Sequence, residues 1–439
     1  MDDGNRSSDD QQSSLLTVPL VLDYQYSGYS TVKDDDEEVG IYDHYDDYLS
    51  KEGTSSFFMT CFNGLNALSG VGILSVPYAL ASGGWLNLVL LFIVAIATFY
   101  TGLLLRRCMD VNSDIKTYPD IAEQAFGHKG RAIVSSLMHV ELYLVATGFL
   151  ILEGDNLSNL FPDIGFELAG IRIGGRVGFV IIVALIIQPS IWLKDLSMLS
   201  YVSASGVLAS VVIVFSVIWV GTIDGVGLEE KGKVFNLNGI PIGASLYVFC
   251  YCAHPVVPTI YSSMRNKRQF NKVWIICYIF STICYASMAV FGYMMYGDNV
   301  YSQVTLNLPT EKLSSKIAIY TALVNPVAKY ALMVAPIVTA IENSLPRNYN
   351  NLPMSLMVRT MLLISTVLVA LAVPFFGALM SLVGASLSAT ASLILPCICY
   401  LKIMKDVAAC RRWGLELVMI VAILLMGVSV IVSGRLVLD

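Results

Sequence analysis

Only 14% of the 439 residues are charged and 56% are hydrophobic, against roughly 25% charged in a soluble domain, so an ordinary water-soluble globule is excluded. The charge is also segregated. Residues 1–53 hold fourteen Asp and Glu against Arg6, Lys33 and Lys51, a net of −11, which leaves +5 for the rest of a chain whose total is −6. Such a tail buries too little apolar surface to offset its ordering entropy and is expected to be disordered. Its one apolar run, Leu15–Leu22, is short and broken by Thr17 and Pro19, so no signal peptide is expected and the first membrane span serves as its own insertion signal. Leu15-Leu16 after Asp9-Asp10 approaches an acidic di-leucine sorting pattern, with Gln11 where an acid is expected. Nine scattered cysteines, mostly within apolar runs, argue against a disulfide framework.

From residue 54 onward eleven stretches are apolar enough to cross about 30 Å of hydrocarbon. They lie near 57–81, 86–105, 132–153, 176–193, 197–222, 240–264, 273–296, 316–341, 355–376, 379–401 and 415–434. With the tail in the cytoplasm, the inner loops carry sixteen Lys and Arg and the outer ones seven, as the positive-inside rule requires. Eleven is odd, so the carboxyl end faces the lumen or exterior. In the inner loop 107–131, Tyr118–Phe126 reads as a short amphipathic helix opened by Pro119 and ended by Gly127, with Ile121, Ala122, Ala125 and Phe126 on one face.

Two spans differ from the rest. The first holds Asn63, Asn66, Ser69, Ser75, three glycines and Pro77 within a run free of charge. Gly70-Val71-Gly72 weakens its middle and Pro77 removes an amide donor. In the sixth, Pro255 and Pro258 open the helix around Cys252–His254. Unpaired backbone at membrane depth is tolerated where it lines a polar cavity or meets a ligand. The positive amino end beyond each break suits a carboxylate, and the carbonyls before it suit an ammonium or a cation. Paired breaks of this kind point to a transporter's central site. Gly and Pro also occur in membrane helices as packing residues, but here the breaks open corresponding blocks. Spans one to five (54–224) and six to ten (240–402) each begin with a broken helix. Five crossings invert the second block, giving an inverted repeat with an extra helix at 413–436. The fold expected is an all-α polytopic membrane protein.

Ionisable groups inside spans cost about 2.5–3.5 kcal/mol on insertion scales. Glu141, Lys329 and His254 are the expected proton-coupling candidates. Lys329 either carries a proton or forms a static pair with Glu141. His254 either changes charge between cytoplasmic and acidic-lumen pH or bonds a freed carbonyl. Glu153 and Asp155 close the third span and are placed at the interface. Cys250/Cys252 and Cys397/Cys399 point about 200° apart on a helix, so no metal site is expected. Ser381, Gly384, Ser386, Ser388 and Ser392 read as a close-packing ridge.

The motifs Asn66-Ala-Leu-Ser-Gly-Val-Gly-Ile-Leu-Ser-Val-Pro-Tyr78, Gly83-Gly-Trp85, Tyr118-Pro-Asp-Ile-Ala122, Phe126-Gly127, Glu153-Gly-Asp-Asn-Leu157, His254-Pro-Val-Val-Pro-Thr-Ile-Tyr-Ser-Ser-Met264 and Asn325-Pro-Val-Ala-Lys-Tyr330 cover nearly all of the body. On them the sequence resembles the amino acid/auxin permease family, and most of all its plant vacuolar amino acid transporters, relatives of the vesicular inhibitory amino acid transporter. The resemblance implies an eleven-helix leucine-transporter-like fold, proton coupling, neutral amino acid substrates and a vacuolar membrane. By position it implies that Asn66, Ser69, Gly70, Val71 and Gly72, with Cys252, Ala253 and His254, hold the substrate's ammonium and carboxylate. Ala253 and Pro255 flank His254 where relatives often carry Gly and a small polar residue. Lys329 falls in the span that, with the first, forms a sodium site in sodium-driven members of the fold, and its charge would replace that cation.

Secondary active transport is therefore expected, with amino acid, protons and lipid as partners, and no cofactor or nucleic acid. A membrane amino acid sensor signalling through the acidic tail is the competing function. No nucleophile, base or metal set converges as an enzyme would need, and no ring of charge or carbonyls suits an ion channel.

Overall fold

The computed structural model describes residues 53, 55–168, 171–192, 199–230, 232–346, 352–373, 375–404 and 409–438. The acidic tail expected to be disordered, with its Leu15-Leu16 pair, lies outside the described residues. The body is helical: α1 (Phe57–Leu68), α2 (Val76–Gly83), α3 (Asn87–Met109), α4 (Tyr118–Phe126), α5 (His128–Leu160), α6 (Gly175–Trp192), α7 (Leu199–Thr222), α8 (Ile240–Cys250), α9 (Val257–Ser263), α10 (Phe270–Tyr296), α11 (Leu313–Ser344), α12 (Leu352–Ala372), α13 (Phe376–Val383), α14 (Leu395–Ile403) and α15 (Ala409–Leu438). A small antiparallel hairpin, β1 (Phe166–Leu168) and β2 (Ile171–Ile173), joins α5 to α6. Period-two patterning is too short there to be read against the apolar runs on either side.

Among the described residues ten helical runs are long and apolar enough to cross a membrane, and they coincide with expected spans two to eleven. The expected first span, residues 57–81, is built instead from α1 and α2, of 12 and 8 residues, so neither half reaches across by itself. A count of eleven treats 57–83 as one broken crossing. Outward-facing Ile96, Leu185, Phe215, Ile283, Leu368 and Leu424 are exposed, as helices solvated by lipid tails require.

The broken spans occupy the centre. α1 packs on α7 and α10, and α2 packs on α8 and α10. α8 lies against α13, α15 and the π-helical turn Gly384–Ser388. α11 runs beside α5 and α7. Close approach depends on missing side chains: a Cβ on Gly384 would lie 2.0 Å from the Ser245 carbonyl oxygen.

α4 forms where its sequence pattern places it. Thr117 caps Asp120 N while the Asp120 carboxylate accepts from Thr117 N, a capping box that stabilises the first turn by about 1 kcal/mol, and Gly127 ends the helix at φ 71°. Tyr118, Pro119, Ile121, Ala122 and Ala125 are its buried face. Phe126, expected on that face, is exposed, because the helix ends beneath it. Tyr118 Oη donates to the Ala391 carbonyl at 2.6 Å, fastening the loop to the π-helical middle of the tenth span.

Candidate functional site

Both interruptions lie where glycine and proline place them. α1 stops at Leu68, Ser69 and Gly70 leave the helix, and Val71–Leu74 makes a 3₁₀ turn before α2. The first amide of that turn to bond back is Ile73, to Gly70 O at 3.3 Å, so the Val71 and Gly72 amides precede its first bond. In the sixth span α8 ends at Cys250, Tyr251–Ala253 is not helical, and His254–Val256 is a 3₁₀ turn leading into α9.

The two breaks abut. A Cβ on Gly72 would sit 2.6 Å from Cys250 Sγ and 3.4 Å from Cys250 Cα, so only glycine fits between them. The candidate residues Ser69–Gly72 thus meet the end of α8 at Cys250, two residues before Cys252–His254. Tyr285 of α10 donates its hydroxyl to Leu68 O and lies 3.1 Å from Cys250 O, so it contacts the last carbonyls of α1 and α8 together.

Lys329 lies in the middle of α11, is 6% exposed, and donates from Nζ to Ser69 O at 3.0 Å. A carbonyl left orphaned by the break is thereby met by a cation. Asn66 joins the same corner: a Cβ on Gly206 of α7 would fall 2.2 Å from Asn66 Oδ1 and 3.2 Å from Lys329 Nζ. Lys329 and Glu141 form no ion pair, and the alternative of a static pair between them is not what the structure holds. The Glu141 carboxylate, on α5, instead accepts from Ser388 Oγ at 2.5 Å and Cys252 Sγ at 3.5 Å. The two buried ionisable groups therefore serve different breaks, Lys329 the first and Glu141 the second.

His254 is fully buried, with Nε2 2.9 Å from Thr101 Oγ1 and 3.1 Å from Thr98 O. A carbonyl only accepts, so Nε2 carries the hydrogen in this arrangement, and Nδ1 has no protein partner. It does bond a carbonyl, but one on α3 rather than one freed by its own break.

Several of these partners were not legible in sequence. Ser388 reads as part of a packing ridge, yet the π-helical turn Gly384–Ser388 carries it to Glu141. Gly206 has only the small-residue run Ser203–Gly206 as its signal, and Tyr285 is one of 23 tyrosines. Glu153, placed at the interface by its position, is 2% exposed with Oε1 unpartnered. Its neighbour Asp155 accepts from Arg176 Nε at 2.6 Å and Gln303 Nε2 at 2.9 Å. A span that continues to Leu160 carries both inside the bundle.

With paired helix breaks and, among the described residues, ten runs long and apolar enough to span, the chain has the leucine-transporter-like fold. It shares that fold with the structure of MhsT in complex with L-phenylalanine, at a TM-score of 0.54 and 10% identity over 86% of this chain and all of that one. A Na+-coupled sialic acid symporter gives 0.51 and 12% over 89% and 92%. The chain belongs to the transmembrane amino acid transporter protein family, whose model matches residues 53–438. It is 56% identical to amino acid transporter AVT1I of Arabidopsis thaliana, over 87% of this chain and 94% of that one, and 55% identical to AVT1J of the same plant, over 94% and 96%.

Proposed function

We propose that this protein is a secondary active transporter that exchanges neutral amino acids for protons across the vacuolar membrane. The observation that carries the proposal is the abutment of the two breaks, Gly72 against Cys250, with Lys329 bonded to Ser69 O. The last carbonyls of α1 and α8, which have lost their helical donors, suit the substrate's ammonium. The amides of Val71 and Gly72, at the positive end of the second half, suit its carboxylate. Asn66, Ser69, Gly70, Val71, Gly72, Cys252, Ala253 and His254 form the binding set.

Lys329 and Glu141 are the proposed proton-coupling residues, with His254 the third candidate. Lys329 supplies from the protein a positive charge that needs no soluble cation, which supports protons rather than sodium as the coupling ion. Two pH units supply about 2.7 kcal/mol per proton, enough for roughly hundredfold accumulation. Residues 54–224 and 240–402 are the two inverted repeats and 413–436 an added helix, which makes eleven crossings, with the amino terminus cytoplasmic and the carboxyl end lumenal. The excess of Lys and Arg in the inner loops supports this orientation. The vacuole and the neutral substrates rest on the family motifs.

The test is uptake by purified protein in proteoliposomes under an imposed pH gradient, with L-alanine, L-leucine and L-tyrosine as labelled substrates. Flux of at least one that collapses with a protonophore is expected. Absence of any gradient-dependent flux, or equal flux driven by sodium alone, would overturn the proposal.

A further inference from the structure

α1 and α8 enter the bundle from opposite faces and stop at its centre, and each leaves a last carbonyl without a helical donor. The Tyr285 hydroxyl stands between them, donating to Leu68 O with Cys250 O 3.1 Å away. Gly70 N already donates to Leu68 O at 3.0 Å, and a phenol has one hydrogen, so with that hydrogen turned to Cys250 O each carbonyl keeps one lone pair for a further donor. The ring is 1% exposed and packs edge-on against Tyr251, with centroids 5.3 Å apart and planes at 81°. Tyr251 stacks in turn on Tyr278 at 5.7 Å and donates to Thr282 Oγ1 at 2.8 Å. Tyr278, Thr282 and Tyr285, spaced four and three residues apart, form one stripe of α10 facing the breaks. The hydroxyl is thus held by an unbroken helix and aimed at two half-helices from different repeats.

We infer that Tyr285 is a positioning residue that fixes the Leu68 and Cys250 carbonyls as a paired acceptor for the primary ammonium of the transported amino acid. The inference rests on the transport function proposed above and adds to it the residue that sets the acceptor geometry. A primary ammonium has three hydrogens, so it can donate to both carbonyls at once, whereas an N,N-dimethyl ammonium has one and can serve only one of them. Without the phenol each half-helix end is free to turn its carbonyl elsewhere. Binding weakens in ground and transition states alike, which raises KM and leaves kcat in place.

Tyr285→Phe removes one oxygen and keeps the ring packing. In proteoliposomes, with whichever of L-alanine, L-leucine and L-tyrosine the wild type carries fastest, this variant should show KM raised about tenfold and kcat within about twofold. It should also lose most of the wild type's discrimination against the N,N-dimethyl form of the same amino acid. Tyr251→Phe gives up a hydrogen bond in the same layer that touches neither carbonyl, and its KM should stay within about twofold. Unchanged KM and N,N-dimethyl discrimination in Tyr285→Phe, or an equal KM rise in Tyr251→Phe, would overturn the inference. So would failure of Tyr285→Phe to fold, scored by size exclusion in detergent, since the hydroxyl would then be structural. A wild type without flux would instead overturn the transport function itself, so the two failures are distinguishable.

Discussion

The two breaks sit side by side but are made by different means. The first is opened by glycine: Ser69–Gly70 leaves the helix, and the freed Ser69 carbonyl is met by an ammonium from another span, Lys329. The second is opened by proline, and its side chains are tied to neighbours: His254 to Thr98 and Thr101 of α3, Cys252 to Glu141 of α5. A glycine break is free to change its backbone angles, whereas a proline break has lost its donors for good. The first is therefore held by a charge donated from another span, and the second by side-chain bonds to α3 and α5.

The largest effect should follow from removing the charge at the first break. Lys329→Met leaves Ser69 O buried without its donor, at about 1–3 kcal/mol, and removes the cation from the site. Gradient-driven flux should fall about a hundredfold, with any residual flux indifferent to pH. A variant that keeps its pH dependence would show that Lys329 only packs. Next comes the contact between the halves. Gly72→Ala places a methyl 2.6 Å from Cys250 Sγ and should cut flux at least tenfold. Adding Cys250→Gly should restore part of it, and failure of that rescue would show that the breaks tolerate separation.

At the second break Thr101→Val removes one of the two contacts on His254 Nε2 and keeps the shape. KM should rise two- to fivefold, since Thr98 O still holds the ring. A larger loss than at Lys329 would reverse the roles assigned to the two breaks.

The smallest effect lies away from both. Arg131, hydrogen-bonded to Glu123 at 2.5 Å, holds the Glu123 carboxyl below its ordinary range at the loop helix α4. A depressed carboxylate adds stability above its unfolded value and loses it as pH falls through its folded one. Glu123→Gln should therefore lower Tm by a degree or two at pH 7, a difference that fades on acidification below about pH 4. A gap that widens with acid would contradict the sign. Measured by scanning fluorimetry in detergent, it calibrates what a bond outside the membrane contributes.

The comparison also separates what sequence alone discloses from what it hides. The places of the breaks were legible because glycine and proline act on their own backbone, and ten of the spans because hydropathy acts over one helix. The α4 loop was legible for the same reason, through its proline, glycine and periodicity. What joins one helix to another was not. Lys329 was visible as a buried charge, but its partner was not: Glu141 was the available carboxylate, and the structure gives Lys329 a carbonyl instead. Ser388 was hidden because a π-helical turn shifts its face, and Gly206 because its value is the space it leaves. The tyrosine stripe of α10 has the same periodicity as ordinary packing, so only its neighbours reveal it.

The most direct test of the paired-break site is an experimental structure of the protein in lipid nanodiscs with its transported amino acid bound. The amino acid should lie between Ser69–Gly72 and Cys252–His254, its carboxylate toward the Val71 and Gly72 amides and its ammonium toward Leu68 O and Cys250 O. An amino acid bound elsewhere in the bundle, or a first span wound into one continuous helix, would contradict it.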